Sequence, residues 1–150
     1  MTTDAPAPSL DPGLLSLFDG RRLGVLATLK RDGRPQLSNV LFAWDAATRT
    51  IRVSVTGDRA KVANLRRDPR ASFYVTTDDG WAYVVAEGEA QLGAEARDPD
   101  DQAADDLVDL FRTLQGEHPD WEDYRTAMVS ERRLVLRIAV DRVYGMAPRG

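Results

Sequence analysis

A basic helix start is the feature of this 150-residue sequence whose chemistry is easiest to state. Arg59 and Lys61 fall in the first turn of a short predicted helix over 59–67, which follows Gly57 and Asp58. The helix dipole makes this end positive, so two cations there are disfavoured unless an anion offsets their repulsion. Free backbone N–H groups and two cationic side chains together suit a phosphate or a carboxylate. The residues leave open the alternative of a solvated basic helix face.

Two further groups of residues suit a flat ligand. Gln36, Ser38 and Asn39 place uncharged donors and acceptors in a predicted strand, where they could bond the edge of a heteroaromatic ring. Trp81 and Tyr83 alternate on one face of another predicted strand and could stack on a ring. The alternatives are an outward strand face for Ser38 and Asn39, and ordinary core or interface packing for the two aromatic residues.

Most other chemistries lack the side chains that they need. The absence of cysteine removes disulfides, thiolate nucleophiles and every zinc site that needs sulfur. The single histidine, His118, excludes a histidine-rich metal site and fits a solvated or capping imidazole. The acidic run over 98–106 matches no calcium loop and is typical of a solvated linker and helix start. We therefore predict no metal site and nominate no catalytic residue.

Charge and hydropathy limit the classes of partner that this protein can have. A formal net charge of −4 argues against a nucleic-acid binder, although Arg66, Arg67 and Arg70 form a local basic cluster. No apolar run approaches the ~20 residues of a membrane helix, and the first residues lack the pattern of a secretory signal. We expect no membrane partner and a cytoplasmic location. Proline and alanine near the start predict a disordered lead-in over 1–13, followed by one domain over 14–150.

Six strands and several helices must position these residues. Apolar runs, alternation and Asp-Gly turns predict strands over 23–30, 35–43, 50–56, 71–77, 81–92 and 134–140. Helical spacing predicts a short helix from Leu14 and helices over 59–67, 99–114 and 120–130. The fold class is mainly β (α+β), a small closed antiparallel barrel with peripheral helices. An open α+β sandwich is the alternative.

Three segments together resemble a known family. They are LGVLATLKRDGRPQLSNV (23–40), GDRAKVANLRRDPRAS (57–72) and DDGWAYVVAEGEAQL (78–92). This chain resembles the pyridoxamine 5′-phosphate oxidase-like split-barrel proteins, and its segment 116–146 is similar to the coenzyme F420-dependent branch. The resemblance implies a six-stranded antiparallel split β-barrel, a homodimer, and two cofactor sites at the subunit interface.

The resemblance also implies roles for particular residues. The strand–helix junction with Ser54, Val55, Arg59, Ala60 and Lys61 would hold the phosphate of the cofactor, with Asn64 supporting it one turn on. The stretch with Gln36, Ser38 and Asn39 would border the deazaflavin ring, and Trp81, Ala82 and Tyr83 would reach the site from the second subunit. The oligoglutamate tail of F420 would favour a basic groove, for which Arg59, Arg66 and Arg67 are available.

The implied activity is hydride transfer from reduced F420 to an unsaturated small molecule. The cofactor would carry the chemistry while the protein supplies position and electrostatics, and solvent or Tyr83 could protonate the product. An FMN-dependent oxidase or reductase on the same barrel is one alternative, because FMN needs the same phosphate site. A non-catalytic F420 carrier is another, because the sequence offers no acid–base pair.

Overall fold

The computed structural model describes residues 10–149, which form one antiparallel sheet with four α-helices around it. Helix α1 (Pro12–Leu15) continues into a short 3-10 turn (Ser16–Phe18). The other helices are α2 (Ala60–Arg67), α3 (Gln102–Gln115) and α4 (Trp121–Ser130). The strands are β1 (Leu23–Leu29), β2 (Pro35–Leu41), β3 (Ala43–Asp45), β4 (Thr50–Thr56), β5 (Arg70–Thr76), β6 (Tyr83–Leu92) and β7 (Arg133–Met146).

The sheet curls so that its two edge strands, which are consecutive in the chain, lie next to each other. The strand order is β2-β1-β5-β6-β7-β4-β3, so β2 and β3 are opposite edge strands. They are nevertheless consecutive in the chain, separated only by Phe42, which is fully buried and donates its N–H to Arg22 O at 2.9 Å. The structure has seven strands rather than the predicted six because the bend at Phe42 divides the predicted strand 35–43. The predicted split-barrel architecture is confirmed.

Two hydrophobic clusters lie on opposite faces of the sheet. Strand alternation fills the inside of the curl with large apolar side chains, among them Phe18, Phe42, Phe73, Leu26 and Ile51. A second cluster forms where α3 and α4 cover the outer face, and its buried members include Leu107, Leu110, Tyr124, Met128 and Val135. The helical pair is therefore packed on the sheet by a core of its own.

Several element ends differ from the prediction. Trp81 and Ala82 lie in a turn rather than a strand, because the Asp79 carboxylate accepts the Trp81 N–H at 3.0 Å and holds that turn. Strand β7 continues to Met146 rather than ending at 140, since its second half pairs with β6 past a bulge at Asp141, opposite Glu87 and Gly88. Helix α3 begins at Gln102 rather than 99 because the Asp101 carboxylate caps it, accepting the Ala104 N–H at 2.8 Å.

The start of the chain is only partly described. Residues 1–9 of the predicted disordered lead-in lie outside the described residues. Within the remainder, Leu10 is buried in the main core and the Asp11 carboxylate caps α1 by accepting the Gly13 N–H at 2.8 Å. No helix in residues 10–149 is long and apolar enough to span a membrane.

Candidate functional site

A cleft of about 610 Å³ opens where β2 passes β4. Its floor comes from the two strands and from the start of α2, and helices α3 and α4 form the opposite wall. The lining residues are Asn39, Val40, Leu41, Ser54, Val55, Thr56, Arg59, Lys61, Leu110, Phe111, Leu114, Gln115, Tyr124, Met128 and Arg133. The cleft therefore has a cationic end at α2 and an apolar, aromatic wall.

Helix α2 begins inside this cleft without a side-chain cap. Arg59 is the N-cap residue, has extended backbone (φ −74°, ψ 150°), and makes no capping hydrogen bond. Its carbonyl oxygen accepts the N–H groups of Val62 and Ala63 at 3.0 and 3.3 Å. The N–H groups of Ala60 and Lys61 precede the first intrahelical donors and point out of the helix end. They are available to an acceptor, and the helix dipole favours an anionic one.

A backbone contact fixes this helix start against the sheet. Gly57 N–H donates to Arg132 O at 2.9 Å, which ties the end of β4 to the beginning of β7. A Cβ at Gly57 would overlap the Glu95 carboxylate, so only glycine fits here without a shift. That carboxylate also pairs with Arg132 at 3.2 Å and with Arg66 at 3.8 Å. These contacts hold the cationic end of the cleft in place from outside it.

Cationic side chains converge at the helix start. Burial lowers the pKa of Lys61, and the positive charges of Arg59 and Arg133 lower it further. Among the described residues, no carboxylate lies within salt-bridge distance of Arg59 or Lys61. Arg59 and Lys61 thus repel each other without a carboxylate partner of their own, which is the electrostatic condition that a bound anion relieves.

Arg133 belongs to this cluster and was not predicted from the sequence. Its Nη1 lies 3.3 Å from Ser54 Oγ, and its Nη2 and Nε lie 3.2 and 3.3 Å from Glu131 Oε1. Strand register brings it there, because Thr56 pairs with Arg133 across β4 and β7. The sequence carries no signal for this register. Seventy-six residues lie between Thr56 and Arg133, and several strand orders in the sheet would fit the same sequence pattern.

The opposite wall supplies flat apolar surface. Phe111 lies 5.0 Å from Tyr124 between ring centroids, and Leu110, Leu114 and Met128 extend the surface. The Tyr124 hydroxyl donates to Leu107 O at 3.0 Å, and burial raises the pKa of Tyr124 to about 12. Tyr124 therefore remains protonated and bonded to the backbone at neutral pH, which makes it a poor proton donor to a ligand.

The structure brings five of the predicted site residues together in the cleft: Asn39, Ser54, Val55, Arg59 and Lys61. Ala60 lies beside them at the helix start. Gln36 and Ser38 do not share a face with Asn39, because side chains alternate along β2. The three polar residues of this strand thus do not form one continuous ring edge.

Asn64 lies behind the cleft, in a network of side-chain hydrogen bonds with Thr28, Gln36 and Arg67 that we call the polar bracket. Its Nδ2 donates to Thr28 Oγ1 at 3.1 Å and to Gln36 Oε1 at 2.8 Å, and its Oδ1 accepts from Arg67 at 3.0 Å. The bracket fastens α2 to β1 and β2. Gln36 and Asn64 line a separate surface depression with Lys30, Arg31, Ala60, Ala63, Arg66 and Arg67.

Trp81, Ala82 and Tyr83 lie away from this cleft. Trp81 is 79% exposed and borders a second cavity, of about 560 Å³, together with Ala82 and Met146. Tyr83 packs on Tyr74 with ring centroids 5.8 Å apart. Within one chain, therefore, none of the three lines the cleft that holds Arg59 and Lys61.

Comparison with known proteins decides the family. The model of the pyridoxamine 5′-phosphate oxidase family matches residues 10–147. This chain belongs to the pyridoxamine 5′-phosphate oxidase family. It is 28% identical to the F420H2-dependent biliverdin reductase of Mycobacterium tuberculosis (strain CDC 1551 / Oshkosh) over 138 residues. The matched region covers 92% of this chain and 89% of that protein.

Two solved structures show the same fold. An F420 reductase matches with a TM-score of 0.68 at 22% identity, over 90% of this chain and 98% of that chain. A conserved hypothetical protein of Mycobacterium tuberculosis matches with a TM-score of 0.70 at 22% identity, over 97% and 90% of the two chains. The split barrel of the pyridoxamine 5′-phosphate oxidase family is therefore present over nearly the full length described.

The remaining candidate groups in this member of the family have structural roles. His118 accepts the Asp120 N–H at 2.9 Å through Nδ1, and its ring packs against Phe111 and Trp121. In the acidic run, the Asp101 carboxylate caps α3 and also accepts the Arg97 N–H at 2.9 Å. Residues 10–149 contain no group of three or more His, Cys, Asp or Glu side chains placed to hold a metal ion.

Proposed function

We propose that this protein is an oxidoreductase that binds coenzyme F420 and transfers a hydride from its reduced form to an unsaturated small molecule. The observation that carries the proposal is the cationic end of the cleft. Arg59 and Lys61 flank an uncapped helix start there, and no carboxylate of the described chain neutralises them.

The donor set of the cleft fits the phosphate of such a cofactor. The N–H groups of Ala60 and Lys61 and the side chains of Arg59, Lys61 and Ser54 offer hydrogen bonds and positive charge at one end. Asn39 and the Phe111 wall offer polar and flat apolar contacts farther along. A ligand with a phosphate at one end and a flat ring system matches both properties.

The choice of F420 over FMN rests on relatives. The curated relative is an F420H2-dependent biliverdin reductase, and one structural neighbour is an F420 reductase. The phosphate end alone does not separate the two cofactors, because both carry a phosphate. The basic depression at Lys30, Arg31, Arg66 and Arg67 supports F420, whose oligoglutamate tail is anionic and would reach beyond the phosphate.

The protein's own contribution to the reaction is binding and orientation. When bound, reduced F420 supplies a hydride. The cationic helix start would fix the cofactor's phosphate, and the wall at Leu110, Phe111 and Met128 would exclude water from one face of its ring. Tyr124 is bonded to Leu107 O and keeps its proton, so we assign it no proton transfer. Solvent or Tyr83 remains our proposal for the proton that completes reduction.

We further propose a homodimer built on the outer face of the sheet. Strand register places Leu23 opposite Leu41 and, farther across the same face, Val85 opposite Tyr144. Leu23, Leu37, Leu41, Tyr144 and Met146 are between 44% and 65% exposed. An apolar face of this extent is typical of a subunit interface.

The same face reaches the edge of the cleft. Asn39 lies between Leu37 and Leu41 on β2 and lines the cleft itself. A second subunit on this face would therefore border the ligand. The exposed Trp81, with Ala82 and Tyr83 beside it, is our candidate for the segment that reaches over from that subunit.

Cofactor titration tests the proposal. Purified protein is titrated with F420 and with FMN, following quenching of cofactor fluorescence, and the reduced complex is offered enones, quinones, nitroaromatics and tetrapyrroles. We expect micromolar or tighter F420 binding, weaker FMN binding, and oxidation of reduced F420 by at least one substrate class. Millimolar F420 affinity with FMN co-purifying would make the protein a flavin enzyme. Tight F420 binding without turnover of any substrate would make it a carrier.

A further inference from the structure

Arg133 is placed at the cationic end of the cleft, on a different element from Arg59 and Lys61. It is the first residue of β7, half-buried, and aligned opposite Thr56 at the end of β4. Its positive charge reaches Lys61 on α2, whose pKa it lowers, and Tyr124 on α4. The side chain lines the same cleft as Arg59 and Lys61, beside the helix start.

The guanidinium has a weak local partner. Glu131 lies only two residues before Arg133, and its carboxylate is 46% exposed at the rim. An exposed ion pair of this kind contributes little stability, because solvent screens it. Arg133 donates to Glu131 Oε1 from Nε at 3.3 Å and from Nη2 at 3.2 Å, and to Ser54 Oγ from Nη1 at 3.3 Å, so all three contacts are near the long end of a hydrogen bond. None of them would compete strongly with an anion held between Arg133 and the helix start.

We propose that Arg133 is a third anion-binding residue of the cleft, which exchanges its resting contact with Glu131 for the phosphate of the bound ligand. This inference rests on the proposed function for the ligand's identity. Glu131 acts in the opposite sense to Arg133: it is a resting counter-ion whose negative charge opposes the incoming phosphate. Removal of the two side chains should therefore change affinity in opposite directions.

The neighbouring arginine Arg137 provides a matched control. It lies on β7 at a similar exposure, 35% against 30% for Arg133, and its partner is Asp106 at 3.6 Å on α3. It does not line the cleft. Arg137→Gln thus removes the same charge from the same strand without touching the proposed site.

The experiment compares F420 binding by the full chain and its variants Arg133→Gln, Arg133→Lys, Glu131→Gln and Arg137→Gln. Fluorescence titration is run at two salt concentrations, and circular dichroism checks folding. We expect Kd to rise about tenfold or more in Arg133→Gln. We expect a smaller rise in Arg133→Lys, which keeps the charge but loses the planar fork. Glu131→Gln should lower Kd by about two- to fivefold, Arg137→Gln should leave it unchanged, and Arg133→Gln should also weaken the salt dependence.

The outcomes separate this inference from the proposed function. If Arg133→Gln is folded and binds like the wild type, the inference is wrong even where F420 binds tightly. If Glu131→Gln weakens binding, the pair is structural and the exchange is wrong. If Arg133→Gln does not fold, the Kd values of Glu131→Gln and Arg133→Lys still test the inference. If the wild type binds FMN rather than F420, the proposed function fails, and the same variants titrated with FMN test Arg133.

Discussion

Removal of the Lys61 amino group is the perturbation for which the structure gives the clearest expectation. Lys61→Met keeps the apolar stem of the side chain and deletes its charge. A charge-assisted hydrogen bond contributes about 1.5–3 kcal/mol. This corresponds to a rise in the Kd for F420 of roughly 10- to 150-fold. Arg137→Gln is the control, because it also deletes one positive charge and Arg137 lines neither the cleft nor the basic depression at Lys30.

The same substitution should not destabilise the free protein. Burial, Arg59 and Arg133 hold the pKa of Lys61 below 10.5, so the charged form is disfavoured in the folded state. This cost is fully present at neutral pH and is relieved as pH rises through the lowered pKa toward 10.5. The free energy of unfolding of ligand-free Lys61→Met should therefore equal or exceed that of the wild type, and it should lose the alkaline rise that Lys61 gives the wild type.

Two measurements check this expectation. Fluorescence titration gives the Kd for F420, and urea unfolding of the ligand-free proteins gives their stabilities. The predicted pattern is weaker binding with unchanged or higher stability for Lys61→Met, and wild-type affinity for Arg137→Gln. If Lys61→Met binds within about twofold of the wild type but unfolds more easily, Lys61 supports the helix and the anion site is misplaced.

Three other predictions address the bracket, the dimer face and acid pH. Asn64→Leu should lower the free energy of unfolding by about 2–3 kcal/mol in urea, because it leaves the buried Thr28 and Gln36 groups unpaired; a loss below ~0.5 kcal/mol would contradict this role. Leu41→Asp should convert the proposed dimer to monomer in light scattering, and a monomeric wild type would refute the interface. The hydrogen bonds and charge of Arg70 lower the pKa of Asp68 to about 2, so the stability this pair contributes is present above about pH 3.8 and is lost as pH falls toward 2. In Arg70→Ala, NMR titration should find the pKa of Asp68 raised toward its ordinary value but still below it, because the backbone N–H of residue 70 and Arg67 remain; an unchanged low pKa would disprove the part of the Arg70 side chain.

Strand and helix positions were largely predictable because burial alternates regularly. In β4, buried Ile51, Val53 and Val55 alternate with half-buried Arg52 and Ser54, which is the pattern that the sequence shows directly. The bend at Phe42 was not predictable from this pattern. Phe42 is apolar like Leu41 and Ala43 beside it. The run becomes two strands only because Leu41 pairs with β1 and Ala43 pairs with β4.

The candidate site was predictable only where it is local in sequence. Arg59 and Lys61 lie in one turn with the helix start that they flank, so dipole reasoning finds them together. Arg133 needs the register of β4 and β7, which arises from the tertiary fold. The hydrogen bonds of Asn64 to Thr28 and Gln36 likewise join positions that are distant in the chain, and sequence reasoning did not find this bracket.

A crystal structure of the complex with F420 tests the central claim most directly. We predict that the cofactor's phosphate lies within hydrogen-bond distance of the Ala60 and Lys61 N–H groups and of the Arg59 and Lys61 side chains, with the ring along the Phe111 wall. A phosphate bound at the Lys30 and Arg67 depression, or at the Trp81 cavity of the same chain, would contradict the assignment of this cleft.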